Sequence, residues 1–482
     1  MKSKQRSESA PLIVVLGVFL IFIAMLAASI SQGAAITVPN GTYTATVGPN
    51  GITFVEQAPP CTWPPVPSTP PACPDGSLPT GGTWQQGACP VWTYVGGTCG
   101  NTAFQWQAPR DPSSFSMAKP AKGTSWTTPY GTTEQRMTDH AVDIAGSAMA
   151  RNDYSRRQPF NADGTRLLVY TGSGYWGLYN TATRAYVGRL AGPAGDAEIQ
   201  WDVTDPNVLY YLDNNGGTVL RRLNVTTGVA SVQYDFTSAV RALWSTAARC
   251  WTKSEGSPSR DGKLWGLMCE TNGFAPLGFV VLDVVNKRVV WSKANTVRPD
   301  HVSMSPSGRW FVVSGDDARG TIAYKVDGSG ATRQLHAKSE HSDLGVLPSG
   351  NDFYVSVNYQ TNDGDIFVVD LDAGTKRTID TAYHNPWSPS TYSMHFSAKA
   401  FNAPGWVVES RYGAPAGGAN LVLINVVTGR ILALGVNYPP WSDYFDEPHA
   451  TASRDLKKVV VNGSFGTSKN IDVYQINVPV LP

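Results

Sequence analysis

Beyond about residue 120 the chain alternates short apolar runs with polar turns, and the alternation repeats. One element is an apolar strand, a polar turn carrying Asp, Asn or Gly, and a second strand. It occurs at 178–187, 223–232, 282–291, 324–330, 369–376 and 424–432. A second element lies upstream of it, a turn followed by a strongly apolar strand, as at 161–169, 205–211, 306–313 and 348–355. Short apolar runs bounded by turn residues read as strands, and two hairpins per unit make a four-stranded sheet. Such sheets repeated radially are the blades of a propeller. The seventh unit, 457–462 and 471–477, lacks a fourth strand. An open sheet edge invites mispairing, so another part of the chain must fill it, and 132–138 has the required length. The pattern therefore predicts an all-β, seven-bladed β-propeller over 120–482, its ring closed by an N-terminal strand. A six-bladed ring follows if the long unit at 240–296 is not a single blade.

The pattern before residue 120 is different. Lys2, Lys4 and Arg6 precede an apolar run at 11–28 and a small-residue stretch at 29–35. These are the parts of a secretory signal, and the run approaches the roughly 20 residues that span a bilayer. Residues 1–35 are thus expected to be a signal peptide or an uncleaved membrane anchor, the chain's one contact with a membrane. The rest is expected to be secreted, periplasmic or on the cell surface. Residues 36–57 read as a hairpin around an Asn-Gly turn at 50–51. A Pro-rich stretch follows at 59–79. Six cysteines, an even number, suit an oxidising compartment. Cys61, Cys73, Cys89 and Cys99 would staple a small β module or stalk at 36–110, with three pairings open. Cys250 and Cys269 would bridge a hairpin. No spacing suits a zinc knuckle. Asn40, Asn224 and Asn462 each begin an Asn-x-Ser/Thr sequence.

Composition narrows the function classes. Charged residues make up 16% and the net charge is +1. A nucleic-acid binder normally shows a basic surface, so that class is excluded. The abundant Gly and Pro suit many tight turns.

The Pro-Ser-Gly turns at 306–308 and 348–350 and the Asn-Ala-Asp-Gly turn at 161–164 resemble the PD40/TolB type of WD-like (WD40-like) propeller repeat. A narrower resemblance is to secreted seven-bladed propeller lyases acting on oligogalacturonate or ulvan. That likeness implies histidines, an arginine and in some members a metal at one end of the ring. The Gln-x-x-His-x-His cluster associated with oligogalacturonate lyases is absent, and the nearest segment is 391–395.

There are seven histidines. Four of them, His301, His341, His395 and His449, stand near the start of the first strand in four consecutive blades. His301 lies seven residues before its turn glycine, Gly308, and Arg157 holds the same place before Gly164. His341 lies nine before Gly350, and a shift of two keeps the same strand face. His449 matches His301 from the strand start, each followed four residues on by a serine. His395 lies ten before Gly405, an odd difference that turns it to the other face unless a longer turn restores the phase. First strands line the channel, so these side chains converge near the axis at one mouth.

Neutral imidazoles bind transition metals, and carboxylates help. His301, His341, His395 and His449 are the candidate ligands of a divalent ion, with Asp343, Asp443, Asp446 and Glu447 close in sequence. An imidazole can also abstract a proton next to a uronate carboxylate. His301, His341, His395 and Arg157 are the candidate catalytic residues. Arg156, Tyr154 and Trp441 are candidate substrate contacts, and Trp387 and Tyr444 could also stack on sugar rings. The same histidines can instead hydrogen-bond neighbouring blades, and Arg156 and Arg157 can be ion-paired within a blade. Two functions stay open: a lyase on acidic polysaccharide, and a non-catalytic propeller that binds an extracellular glycan or protein.

Overall fold

The computed structural model describes residues 35–38, 41–48, 51–57, 66–67, 81–86, 92–95, 104–109, 115–315, 317–361, 364–381, 392–413, 420–438 and 444–482. The chain divides into two compact units, 1–103 and 104–482.

The first unit holds a three-stranded antiparallel sheet, Ala35–Val38, Gly41–Gly48 and Gly51–Gln57, and a separate pair, Thr83–Gln86 with Trp92–Val95. The expected hairpin is present, with Gly48 opposite Gly51, and a third strand extends it. Residues 1–34, Cys61, Cys73, Cys89, Cys99 and nearly all of 59–79 lie outside the described residues.

The second unit is a seven-bladed propeller. Blades 1 to 6 are four-stranded antiparallel sheets. Their first and last strands are Ala150–Arg151 and Tyr186–Ala194, Gln200–Trp201 and Val229–Asp235, Arg249–Trp251 and Arg288–Ala294, His301–Met304 and Thr332–His336, Ser342–Val346 and Lys376–Asp380, and Tyr392–Ser397 and Arg430–Val436. Blade 7 takes Thr451–Ala452, Lys458–Gly463 and Asp472–Asn477 from one end of the unit. Thr133–Arg136 from the other end completes it, with Tyr474 opposite Arg136 and Asn477 opposite Thr133. Ser125–Thr127 pairs outside that strand, so blade 7 has five strands. The 240–296 unit is a single blade, lengthened by a short helix, Thr237–Leu243, in front of it. The six-bladed alternative therefore does not hold.

Local chemistry explains why the blades recur. At the end of the third strand, Asn180, Asn224, Asp283, Asp370 and Asn425 each accept two backbone N–H groups, two and three residues on. This is an Asx turn, which bends the chain at low cost. Between the first and second strands Gly164 and Gly308 adopt φ of 70° and 78°, a region where a side chain is strained. Cys250 and Cys269 sit opposite each other on the first two strands of blade 3 and form the expected disulfide. Asn462 is fully buried and its amide donates to Asn152 O and Glu447 O, so it is no glycan acceptor.

The core is a ring of layers between blades rather than a single centre. Leu168 and Trp176 of blade 1 pack on Leu209 and Leu223 of blade 2. Phe353 and Val355 of blade 5 pack on Phe396 and Val407 of blade 6. Val460 and Val473 of blade 7 meet Leu167 and Val169 of blade 1 and close the circle. The second strand of blade 4, Trp310–Ser314, is buried on both faces and apolar but for its last residue, whereas the fourth strand of blade 2 is mostly exposed. Each buried Val, Leu or Phe contributes roughly 1.5–3 kcal/mol.

Candidate functional site at the channel mouth

The first strands run along the channel; His301, His341 and His449 stand at or just before the starts of theirs and His395 is the fourth residue of Tyr392–Ser397, and the fold brings the four to one mouth. His341 and His395 stack with ring centroids 4.1 Å apart. His395 and His449 are also 4.1 Å apart. The Tyr154 ring lies 5.3 Å from His395 and 4.8 Å from His449. His395 joins the group because the turn after its strand is long. Residues 398–407 lie between paired positions there, against 305–310 in blade 4.

Glu447 links two of the rings. Its Oε2 lies 2.8 Å from His395 Nε2 and 3.3 Å from His449 Nε2. One ligand atom from each of His395, Glu447 and His449 lies within 4.8 Å of the others. Two imidazoles and a carboxylate form a donor set suited to a divalent transition metal. His449 Nδ1 is buried with no hydrogen-bond partner among the described residues. His449 is also held at φ 41°, an unfavourable conformation for a non-glycine residue. Asn152 Nδ2 donates to its carbonyl at 2.6 Å and helps to hold it there.

A second group lies beside the first. His301 Nδ1 is 3.2 Å from Asp300 Oδ2 and 3.3 Å from Arg156 Nη1. Arg156 crosses the channel from blade 1, donating to Glu255 Oε2 at 2.6 Å on blade 3 and to the Ser342 carbonyl on blade 5. One ligand atom from each of Glu255, Asp300 and His301 likewise lies within 4.8 Å of the others. Arg156 and Lys253, which lies 3.4 Å from Asp300, already supply positive charge there. That group therefore suits proton transfer better than a cation.

Burial sets the protonation states. Desolvation first, then the neighbouring imidazole, pushes His341 and His395 down to about 3. Desolvation pushes His449 down to about 4, against the pull of Glu447. His301 is lowered by burial and by Arg156. All four rings are thus neutral near pH 7, the form that ligates metals and accepts protons. Burial works against the Glu447 charge, but hydrogen bonds from His395 and His449 outweigh it and hold the carboxyl well below its usual range. Burial likewise opposes the Arg156 charge, and Tyr154, Glu255, Asp343 and Asp300 overcome it.

The remaining candidates fall in different places. Arg157 pairs with Asp153 at 2.6 Å and donates to the Ile199 and Ser254 carbonyls. Adjacent residues of this irregular segment point to different neighbours, and Arg156 is the one that contacts His301. Asp343 is taken up by Lys399 and by the Ala398 N–H, both at 2.7 Å. Asp446 binds Ser468 and the Lys469 N–H. Tyr444 and Phe445 are exposed at the mouth, with Arg151 5.2 and 5.4 Å from their rings. Trp441, Trp387, Asp443 and His384 lie outside the described residues. His336 packs on Phe367 in an outer layer, and His140 binds Asp472. Glu255 and Asp300 were not candidates from sequence. Asp300 had one signal, its place directly before His301, whereas Glu255 comes from a loop of another blade.

No protein-family profile matches the sequence, and no curated protein matches it significantly. Solved structures do. One is an oligogalacturonate lyase in complex with manganese, with TM-score 0.54 and 15% identity over 76% of this chain and 99% of that one. Another is an oligogalacturonate lyase from Vibrio parahaemolyticus, with TM-score 0.53 and 14% identity over 74% of this chain and 99% of that one. At this identity the likeness is one of fold: the chain is a seven-bladed β-propeller with the architecture of those lyases.

Proposed function

We propose that the protein is a metal-dependent lyase that cleaves an acidic polysaccharide by β-elimination at the histidine mouth. The observation that carries this reading is the pairing, on one axis, of a two-histidine, one-carboxylate set with a buried His301–Asp300 pair and Arg156. His395, Glu447 and His449 would hold the ion, with His341 stacked behind His395. A divalent ion held there would supply positive charge to the uronate carboxylate and so acidify the adjacent C–H.

The chain's own residues do the rest. Asp300 accepts a hydrogen bond from the Nδ1–H of His301, which leaves Nε2 as the basic nitrogen. His301 removes the proton from the carbon next to the carboxylate. The electron pair becomes a carbon–carbon double bond, the bond to the β-oxygen breaks, and that oxygen takes a proton from water. Arg156, beside His301, stabilises the charge that develops on the carboxylate. Tyr154 stands between the two groups, and Tyr444 and Phe445 offer ring faces to a pyranose. A secreted, periplasmic or surface setting fits both the substrate and the Cys250–Cys269 bond.

The test measures bound metal by mass spectrometry and the ultraviolet absorbance of unsaturated products from uronate polymers. The natural chain is expected to carry about one metal per molecule and to turn over. His395→Ala/His449→Ala is expected to lose the metal, and His301→Ala to keep it but lose turnover. A folded natural chain with no metal and no product on any uronate polymer would overturn the proposal in favour of a propeller that binds glycan or protein.

A further inference from the structure

The first strands end, at the mouth away from the histidines, in the turns that lead to the second strands. A cavity of about 280 Å³ opens there, between the turn of blade 1 at Asn161–Gly164, Val203 of blade 2, Asn402 of blade 6 and the turn of blade 7 around Arg454 and Lys458. Arg454 extends from blade 7 to donate to the Arg260 carbonyl of blade 3 at 3.1 Å. Its guanidinium lies 5.7 Å from the Phe401 ring. Lys458 reaches the Gly164 carbonyl at 3.5 Å and lies 5.6 Å from the Phe160 ring.

Neither cation has an ion-pair partner among the described residues. Both are half-buried, whereas the more deeply buried Arg136 pairs with Asp472 and Lys399 with Asp343. The two carboxylates that also line the cavity are engaged by their own turns. Asp163 Oδ1 accepts the Thr165 N–H and hydroxyl, and Asp455 Oδ1 accepts the Ser453 hydroxyl and the Lys457 N–H. Asp455 also faces the exposed Lys457 at 3.7 Å. Burial lowers the pKa of both Arg454 and Lys458, and the attraction of Asp202 to the first and of Asp455 to the second offsets this only in part. A ring-backed guanidinium and an ammonium on one roomy cavity are the donors that oxyanions take, the first as a fork and the second as a point charge.

We propose that this second mouth is a binding site for a small oxyanion, a carboxylate, sulfate or phosphate group, held by Arg454 and Lys458. The site is separate from the histidine mouth and independent of the chemistry there.

The experiment is calorimetric titration of the full chain with sulfate, inorganic phosphate and galacturonate at constant ionic strength, with chloride as control. At least one oxyanion is expected to bind saturably at one site and to raise the unfolding midpoint. The strongest of the three identifies the source as a sulfate ester, a phosphate or a uronate. Arg454→Gln and Lys458→Gln, made singly, are each expected to weaken it about tenfold or more, since each removes a charge-assisted contact. Arg454→Lys is expected to keep part of the affinity, and His449→Ala to keep all of it. Absence of saturable binding to the natural chain, or undiminished binding in both Gln variants, would overturn the proposal.

Discussion

Replacing Glu134 by Gln is expected to flatten the pH dependence of the propeller's stability. Glu134 lies on the strand that closes blade 7 and is fully buried. Tyr438 donates to its Oε2, and Trp126 in turn donates to Tyr438 at 3.1 Å. Its Oε1 has no partner among the described residues. Burial pushes the carboxyl from 4.5 up to about 8, and the Tyr438 hydrogen bond offsets this only in part. The folded chain therefore keeps a proton that the unfolded chain releases above about pH 4.5. The contribution of Glu134 to stability falls as pH rises from about 4.5 to about 8 and levels off beyond, at close to 1.4 kcal/mol per pH unit within that window. The full effect is roughly 5 kcal/mol as an upper bound. Gln mimics the neutral acid in shape and has nothing to ionise. The variant is expected to match the natural chain near the acid end of the window and to exceed it increasingly toward the alkaline end. Thermal unfolding of both chains across a pH series measures the difference, and titrations common to both cancel. A difference that is constant with pH would refute the argument that burial dominates at Glu134.

Other expectations follow from the same structure. Removing the Cys250–Cys269 bridge, which joins residues 19 apart, is expected to cost about 3 kcal/mol in denaturant unfolding if its effect is chain entropy. Asn152→Ala removes the bonds that hold the His449 carbonyl and the Thr451 hydroxyl. It is expected to lower metal affinity about 10- to 100-fold without loss of fold, by metal titration with circular dichroism as the control. Chelation of a bound ion is expected to destabilise the natural chain by about 3 kcal/mol at a metal level near 100 times its dissociation constant, and to leave His395→Ala/His449→Ala unchanged. Deleting the chain up to residue 138 takes Thr133–Arg136 from blade 7 and bares a sheet edge, so self-association is expected by light scattering.

The blades were legible in the sequence because what makes them is local. Alternating apolar residues and the Asx turns at Asn180, Asn224, Asp283, Asp370 and Asn425 act within a few residues of themselves. Ring closure was legible for a different reason: a blade short of one strand leaves an edge, and few segments have the length to fill it. The fifth strand, Ser125–Thr127, was not, since three residues carry no period. Three histidines could be phased by counting because their strands share a direction and are followed by short turns of five or six residues, 305–310, 347–351 and 453–458. His395 resisted the count, as the turn at 398–407 is longer than its counterparts.

What only the tertiary structure decided lies across the axis. Glu255 and Arg156 meet at 2.6 Å although 99 residues separate them, and His395 meets Glu447 across 52. Whether Arg156 or Arg157 faced the histidines depended on an irregular segment with no period to count. Protonation depended on it too: an imidazole is neutral or charged according to how much water the neighbouring blades exclude, and His395 loses that water only when the ring has closed. Period and turn chemistry are properties of neighbouring residues and can be read along the chain. Proximity across a channel and desolvation are properties of the closed ring, and no segment carries them alone.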